Sequence, residues 1–131
     1  MSKWLRTLFL IHAVVATIGG LALLVAPGRT AGLFGLGPID ATFNVVGRIF
    51  GAALIAMAWS SLRGWRAATR AQAAILVELE AIFTVLTCIG LLRQILGANW
   101  PWYVWTLLGV FVAFALAWLV ALLEVARTPK T

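Results

Sequence analysis

Four apolar runs of about 20 residues, each long enough to cross a bilayer, take up most of this 131-residue chain. The first runs from Trp4 to Ala26 and is closed by Pro27-Gly28. The second runs from Asn44 to Leu62 and stops at Arg63-Gly64. The third runs from Gln72 to Leu96 and ends at Gly97-Ala98-Asn99. The fourth opens at Trp100-Pro101, where proline suits a first helical turn, and ends near Glu124. In lipid every backbone amide and carbonyl must be satisfied within the segment, so runs of this length are helices. The predicted fold is all-α and polytopic, an antiparallel bundle of four transmembrane helices over 4–26, 44–62, 72–96 and 100–124. One transmembrane domain, 1–131, holds all four, with an external loop at 27–43.

Composition excludes the soluble alternatives. The chain is 63% hydrophobic and 11% charged, against about 25% charged in a soluble domain. Its mean hydropathy is +1.04. The first run also has to be weighed as a leader, since Lys3 and Arg6 before an apolar stretch describe a signal peptide. Its apolar stretch is longer than a leader's, and Leu24-Val25-Ala26-Pro27 is a poor cleavage site. It is read as a helix.

Ten Lys/Arg against four Asp/Glu give a net charge of +6. In a soluble protein that excess would suggest nucleic acid; in a membrane chain it reports orientation and contact with anionic headgroups. Lys3, Arg6, Arg63, Arg66, Arg70, Arg127 and Lys130 fall on one side, while the other has Arg29 and, near the end of the third helix, Arg93. The positive-inside rule then places both termini and the 63–71 loop in the cytoplasm, with no nucleic-acid partner. Aromatic anchors agree: Trp4, Trp65 and Trp118 lie towards the inner side, and Trp100, Trp102, Tyr103 and Trp105 towards the outer one.

The loop at 27–43 sets Gly28, Gly32, Gly35 and Gly37 among Leu33, Phe34 and Leu36, ending at Pro38. It reads either as a surface turn with a short interfacial helix or as a flap over a cavity mouth. Asp40 is the expected cap of the second helix. Small residues mark the packing faces, because close approach of backbones drives association in lipid. They are Gly47-x-x-x-Gly51 in the second helix, Ala13, Ala16, Gly19 and Gly20 in the first, and Gly109, Ala113, Ala117 and Ala121 in the fourth. The last stripe belongs either to the bundle or to a neighbouring subunit.

Ionisable residues within the membrane are costly and are the default functional candidates: His12, Arg48, Glu78 and Glu80. His12 and Glu80 each sit roughly 12 Å from the inner end of their helices, so contact between them is expected. Glu78 and Glu80 are about 200° apart around the helix and share no face. Glu80 continues as Thr84, Thr87, Leu91 and Gln94, a stripe suited to the interior, while Glu78 is left to Arg70, Arg66 or water. The expected inner network pairs Arg48 with Thr84 or Thr87 and Glu80 with His12. Three readings stay open for it: polar glue that fixes helix register, a pocket for a quinone, lipid or pigment lined by His12, Arg48, Glu80 and Thr84, or a path for protons or ions.

Catalysis is not expected. The chain holds no HExxH, GxSxG or P-loop motif, and its single cysteine, Cys88, excludes a paired-thiol or zinc site within one chain. No metal site and no required cofactor are read from the residues.

Leu5-Arg6 leading into a Gly19-Gly20 helix closed by Pro27-Gly28, then Gly47-Arg48-Ile49-Phe50-Gly51-Ala52, resembles the DoxX-like type of small bacterial four-helix inner-membrane proteins. The resemblance implies a role like that of some DoxX-type members, as subunits of quinone-linked membrane oxidoreductases. It transfers one residue, Arg48, as a buried structural or ligand-facing cation. The expectation is therefore a non-enzymatic integral protein of a bacterial inner membrane, an accessory or scaffolding subunit of a larger membrane complex or a homo-oligomer. The alternative is a small-molecule binding or transport protein with a polar pocket inside the membrane.

Overall fold

The computed structural model describes residues 2–35, 40–97, 99 and 104–126. Five helices make up these residues: α1 (Lys3–Val25), α2 (Pro27–Leu33), α3 (Ala41–Trp65), α4 (Arg70–Leu96) and α5 (Val104–Ala126). Four of them, α1, α3, α4 and α5, are long and apolar enough to cross a membrane. That agrees with the four predicted spans and with an integral membrane protein, and large apolar side chains such as Ile18, Ile49, Ile75, Leu86 and Leu116 stand exposed on their outer faces. Water would penalise each exposed side chain by about 1.5–3 kcal/mol; lipid does not. Trp100, Pro101, Trp102 and Tyr103, the 36–39 stretch and the cations Arg127 and Lys130 lie outside the described residues.

Local chemistry sets the helix ends. Ser2 accepts from Leu5 N, and Thr69 accepts from Gln72 N. Asp40, as expected, accepts from the Phe43 amide at 2.7 Å, which starts α3 three residues earlier than Asn44. Each cap satisfies an amide that the helix leaves without a partner. Within the expected loop, Pro27 occupies the first turn of the seven-residue α2 and supplies a fixed φ where no amide is needed. Gly35, just past its end, has φ 65°, a conformation that side chains resist.

The bundle is assembled from two tight hairpin-like pairs, α1 with α3 and α4 with α5. The first pair crosses glycine on glycine. A Cβ on Gly51 would stand 2.7 Å from Leu24 N and 2.8 Å from Gly20 O; one on Gly20 would stand 2.9 Å from Gly51 O. The small-residue faces predicted for these two helices do meet. Gly47 holds α2 in place, its hydrogen facing Pro27 so closely that a Cβ would lie 2.8 Å from the proline Cβ.

The two pairs are joined mainly at the end that carries Arg6, Arg63, Arg66 and Arg70, here the basic end. There Leu5, Leu8, Phe9, Ala67, Ala73, Val77, Ala81, Trp118 and Ala121 form one buried cluster. Trp118, predicted as an interfacial anchor, is instead fully buried, its ring centroid 4.9 Å from that of Phe9. Two turns separate it from the end of α5, and its face points into the bundle. The α5 stripe divides in the same way: Ala121 is buried in the basic-end cluster, whereas Gly109 and Ala113 are exposed.

Candidate functional site

At mid-bundle, where the hairpin pairs meet, three polar side chains from three helices touch. His12 of α1, Ser61 of α3 and Glu80 of α4 are all buried. The Ser61 hydroxyl donates to Glu80 Oε1 at 2.6 Å, and His12 Nδ1 lies 2.9 Å from Ser61 Oγ and 3.1 Å from Glu80 Oε2. The expected His12–Glu80 contact is thus present, with Ser61 bridging it. Leu8 and Phe9 precede His12 on the face that packs into the cluster, and this puts the imidazole among aromatic rings. Phe114 is tilted against it at 4.7 Å, and Trp118 meets it edge-on at 5.5 Å.

Ser61 has no place among the sequence candidates. A serine four residues from the end of an apolar helix looks like a residue at the membrane interface. The available signal was the Ser60-Ser61 pair within an otherwise apolar turn. Ser61 is placed inward by its neighbours, since Met57, Ala58 and Gly64 are buried on the same side of α3. A Cβ on Gly64 would fall on the ring of Phe9, so the glycine allows α1 and α3 to close at this level.

The other expected members of the network are elsewhere. Arg48 does not reach Thr84 or Thr87; it is exposed and donates from Nη1 to Leu24 O at 2.6 Å. That carbonyl is in the last turn of α1, where no intrahelical donor remains and the helix dipole favours a cation. Arg48 is therefore a cross-helix cap, not a buried cation facing a ligand. Thr84 is fully buried beside Glu80, but its hydroxyl donates back to Glu80 O at 2.8 Å, a local bond common for threonine in helices. Arg70, considered for Glu78, lies 3.6 Å from Glu124 of α5 instead.

Above the triad the two pairs diverge and leave a cavity of about 500 Å³, within the usual range for small-molecule sites. His12 forms part of its wall with Leu54 and Phe114, and Val15, Gly19, Phe50, Leu91, Val110 and Phe111 line its length. Thr30, Ala31 and Phe34, on and just after α2, cover the far end. Of the four predicted pocket residues, His12 alone lines it; Arg48, Glu80 and Thr84 do not. Three threonines line the wall; the Thr87 hydroxyl donates to Phe83 O, and that of Thr30 donates to Ala22 O and Ala26 O, so neither adds much polarity. The space is hydrocarbon with an imidazole at one end.

Left unfilled, an enclosed space of this size would forfeit on the order of 10 kcal/mol of packing, comparable to the whole stability of many domains. Water is a poor filler, since a buried water needs two to four polar partners. The wall is instead partly open, and Val15, Ile18, Val46 and Val110 of its lining are exposed. Among the described residues no group of three His, Cys, Asp or Glu side chains could hold a metal ion. Comparison of the chain with protein-family models, with curated proteins and with solved structures finds no match.

Proposed function

We propose that this is a non-enzymatic membrane protein that binds a small, largely apolar molecule of the quinone, lipid or pigment type between its two helix pairs. The observation that carries the reading is the cavity of about 500 Å³, apolar along its length and partly open, with His12 as its polar point. The chain distributes its roles accordingly. Gly20 and Gly51 lock one pair, the basic-end cluster joins the pairs, and α2 covers the far end. The triad is held on helices rather than loops, which keeps the imidazole in one orientation.

The experiment is mass spectrometry of the organic extract of protein purified in mild detergent, compared with a Val110→Trp variant. Val110 lines the cavity and is exposed, so an indole there narrows the space without disturbing the buried cluster. The wild-type protein is expected to retain one apolar compound near stoichiometrically, and the variant to lose it. Identical extracts containing bulk lipid alone would refute the reading.

An accessory-subunit role has its own support in α5. A Cβ added at Gly109 would meet no atom within 4 Å, and with Ala113 this glycine leaves half of a small-residue stripe unmatched in the monomer. Stable co-migration with other membrane subunits in mild detergent supports that role, and migration as a lone species counts against it. The charge distribution supports a bacterial inner-membrane location with the basic end in the cytoplasm. In a Cys88→Ala background, a cysteine placed at Arg66 is expected to resist an impermeant reagent added outside; its labelling would reverse the orientation.

A further inference from the structure

We infer that the cavity presents a hydrogen-bond donor, His12 Nε2–H, and selects apolar ligands that carry a carbonyl-type acceptor. The inference rests on the proposed ligand-binding reading of the cavity and follows from counting protons in the triad. The Ser61 hydroxyl has a single hydrogen, so it donates to one of its two neighbours and accepts from the other. His12 Nδ1 and Glu80 are those neighbours, at 2.9 Å and 2.6 Å.

A net charge at this depth is costly, and the basic group in contact with Glu80 is His12, Arg48 being occupied at Leu24 O. The triad is therefore electrically neutral as a whole. Two arrangements satisfy both conditions. In one, Glu80 is a carboxylate and His12 an imidazolium: Nδ1–H donates to Ser61, Ser61 donates to Oε1, and Nε2 carries its own hydrogen. In the other, Glu80 keeps its proton on Oε1 and donates it to Ser61, which in turn donates to Nδ1. Nδ1 is then an acceptor, and the imidazole hydrogen sits on Nε2. A third neutral form, with hydrogens on both Nδ1 and Oε2, would leave the buried Oε2 hydrogen without an acceptor, since its nearest basic atom, Nδ1 at 3.1 Å, would carry a hydrogen itself.

Both permitted forms leave the same group for the cavity. Nδ1 is hydrogen-bonded to Ser61, with Glu80 Oε2 3.1 Å away, while Nε2 has no protein hydrogen bond among the described residues, and His12 is in the cavity wall. The wall hydroxyls of Thr30 and Thr87 are turned to helix carbonyls. A ketone, quinone or ester oxygen meets this donor directly. A pure hydrocarbon leaves it unpaired, a desolvation loss that the cavity imposes as a selectivity filter.

His12 is the single histidine of the sequence, so the test needs no assignment. Nitrogen NMR of protein carrying ¹⁵N-histidine, in lipid bilayers, reads both ring nitrogens. The expected spectrum has a protonated, pyrrole-type Nε2 whatever the state of Nδ1; a pyridine-type Nε2 overturns the inference. A binding arm uses a long-chain methyl ketone and the alkane of equal length as probes. Wild-type protein is expected to prefer the ketone by about tenfold more than His12→Phe does, the size of one hydrogen bond. If His12→Phe does not fold, His12→Gln, whose amide also donates, is expected to retain the preference. A protonated Nε2 with equal binding of both probes overturns the selectivity. If neither probe binds, the cavity reading itself falls and the ligand class falls with it, while the NMR spectrum still decides the donor independently.

Discussion

The two ends of the bundle solve the same packing problem in opposite ways. At the basic end, large rings and aliphatic side chains of α1, α4 and α5 interlock, together with Ala67 between α3 and α4; Phe9 and Trp118 are both fully buried there. At the α2 end, α1 and α3 touch backbone to backbone through Gly20 and Gly51, and α4 and α5 pack with each other through Ile95, Val104 and Leu108. Between those pairs the contacts thin out, apart from the stacking of Phe50 on Phe83 at 6.3 Å. The basic end thus provides cohesion and the α2 end provides space. The polar triad lies where one regime changes into the other, supported from below by aromatic rings and facing hydrocarbon above. Without solvent to drive helices together, a membrane bundle can remain open along half its length, provided the other half holds.

The contrast can be broken most forcefully at the triad. His12→Leu removes the basic partner of buried Glu80, leaving it Ser61 alone, and is expected to cost about 3–5 kcal/mol, read as a lower unfolding midpoint in denaturing detergent. The double variant with Glu80→Leu is expected to be more stable than His12→Leu alone, because it removes the orphaned carboxyl as well. A double variant at least as unstable as the single would show that the loss is one of packing.

Glycine substitutions come next, and they separate the regions most cleanly. Gly51→Ala places its methyl against backbone atoms of α1, which cannot yield as a side chain would, and is expected to cost about 1–3 kcal/mol. Gly109→Ala on α5 meets open space and is expected to be neutral or slightly stabilising, by less than about 1 kcal/mol. Equal effects at the two sites would show that α5 is packed against something in the membrane, and cross-linking through Gly109→Cys in a Cys88→Ala background would identify a second copy.

The smallest effect is expected at the Arg70–Glu124 pair, 3.6 Å apart and partly exposed. Arg70→Gln should cost roughly 0–1 kcal/mol, with no change in ligand retention. A larger loss, or release of ligand, would extend the cohesive end down to the surface of the bundle.

Particular residues show where sequence reasoning was sufficient. The four spans were legible because a bilayer imposes one length and one polarity on each of them. The Asp40 cap and the small-residue faces that hold Gly20 and Gly51 were legible for similar reasons, since each depends on a local residue type; that these two glycines meet was not. The His12–Glu80 contact followed from matching depth along two helices. Arg48 was misplaced and Ser61 missed because depth says nothing about azimuth. Arg48 turned to the carbonyl at the end of α1, and Ser61 turned inward between His12 and Glu80. Trp118 was misassigned for the same reason: an indole two turns from a helix end can serve either face.

What the sequence by itself determined is the number of spans, their antiparallel order and the short set of ionisable groups within them, all consequences of the cost of placing polar groups in hydrocarbon. What only the tertiary structure decided is the rotation of each helix about its axis and the angle between the two pairs. Those settled which polar atoms meet, turned Arg48 away, and opened the cavity in whose wall His12 lies. They depend on contacts between residues tens of positions apart, which no run or spacing along the chain encodes.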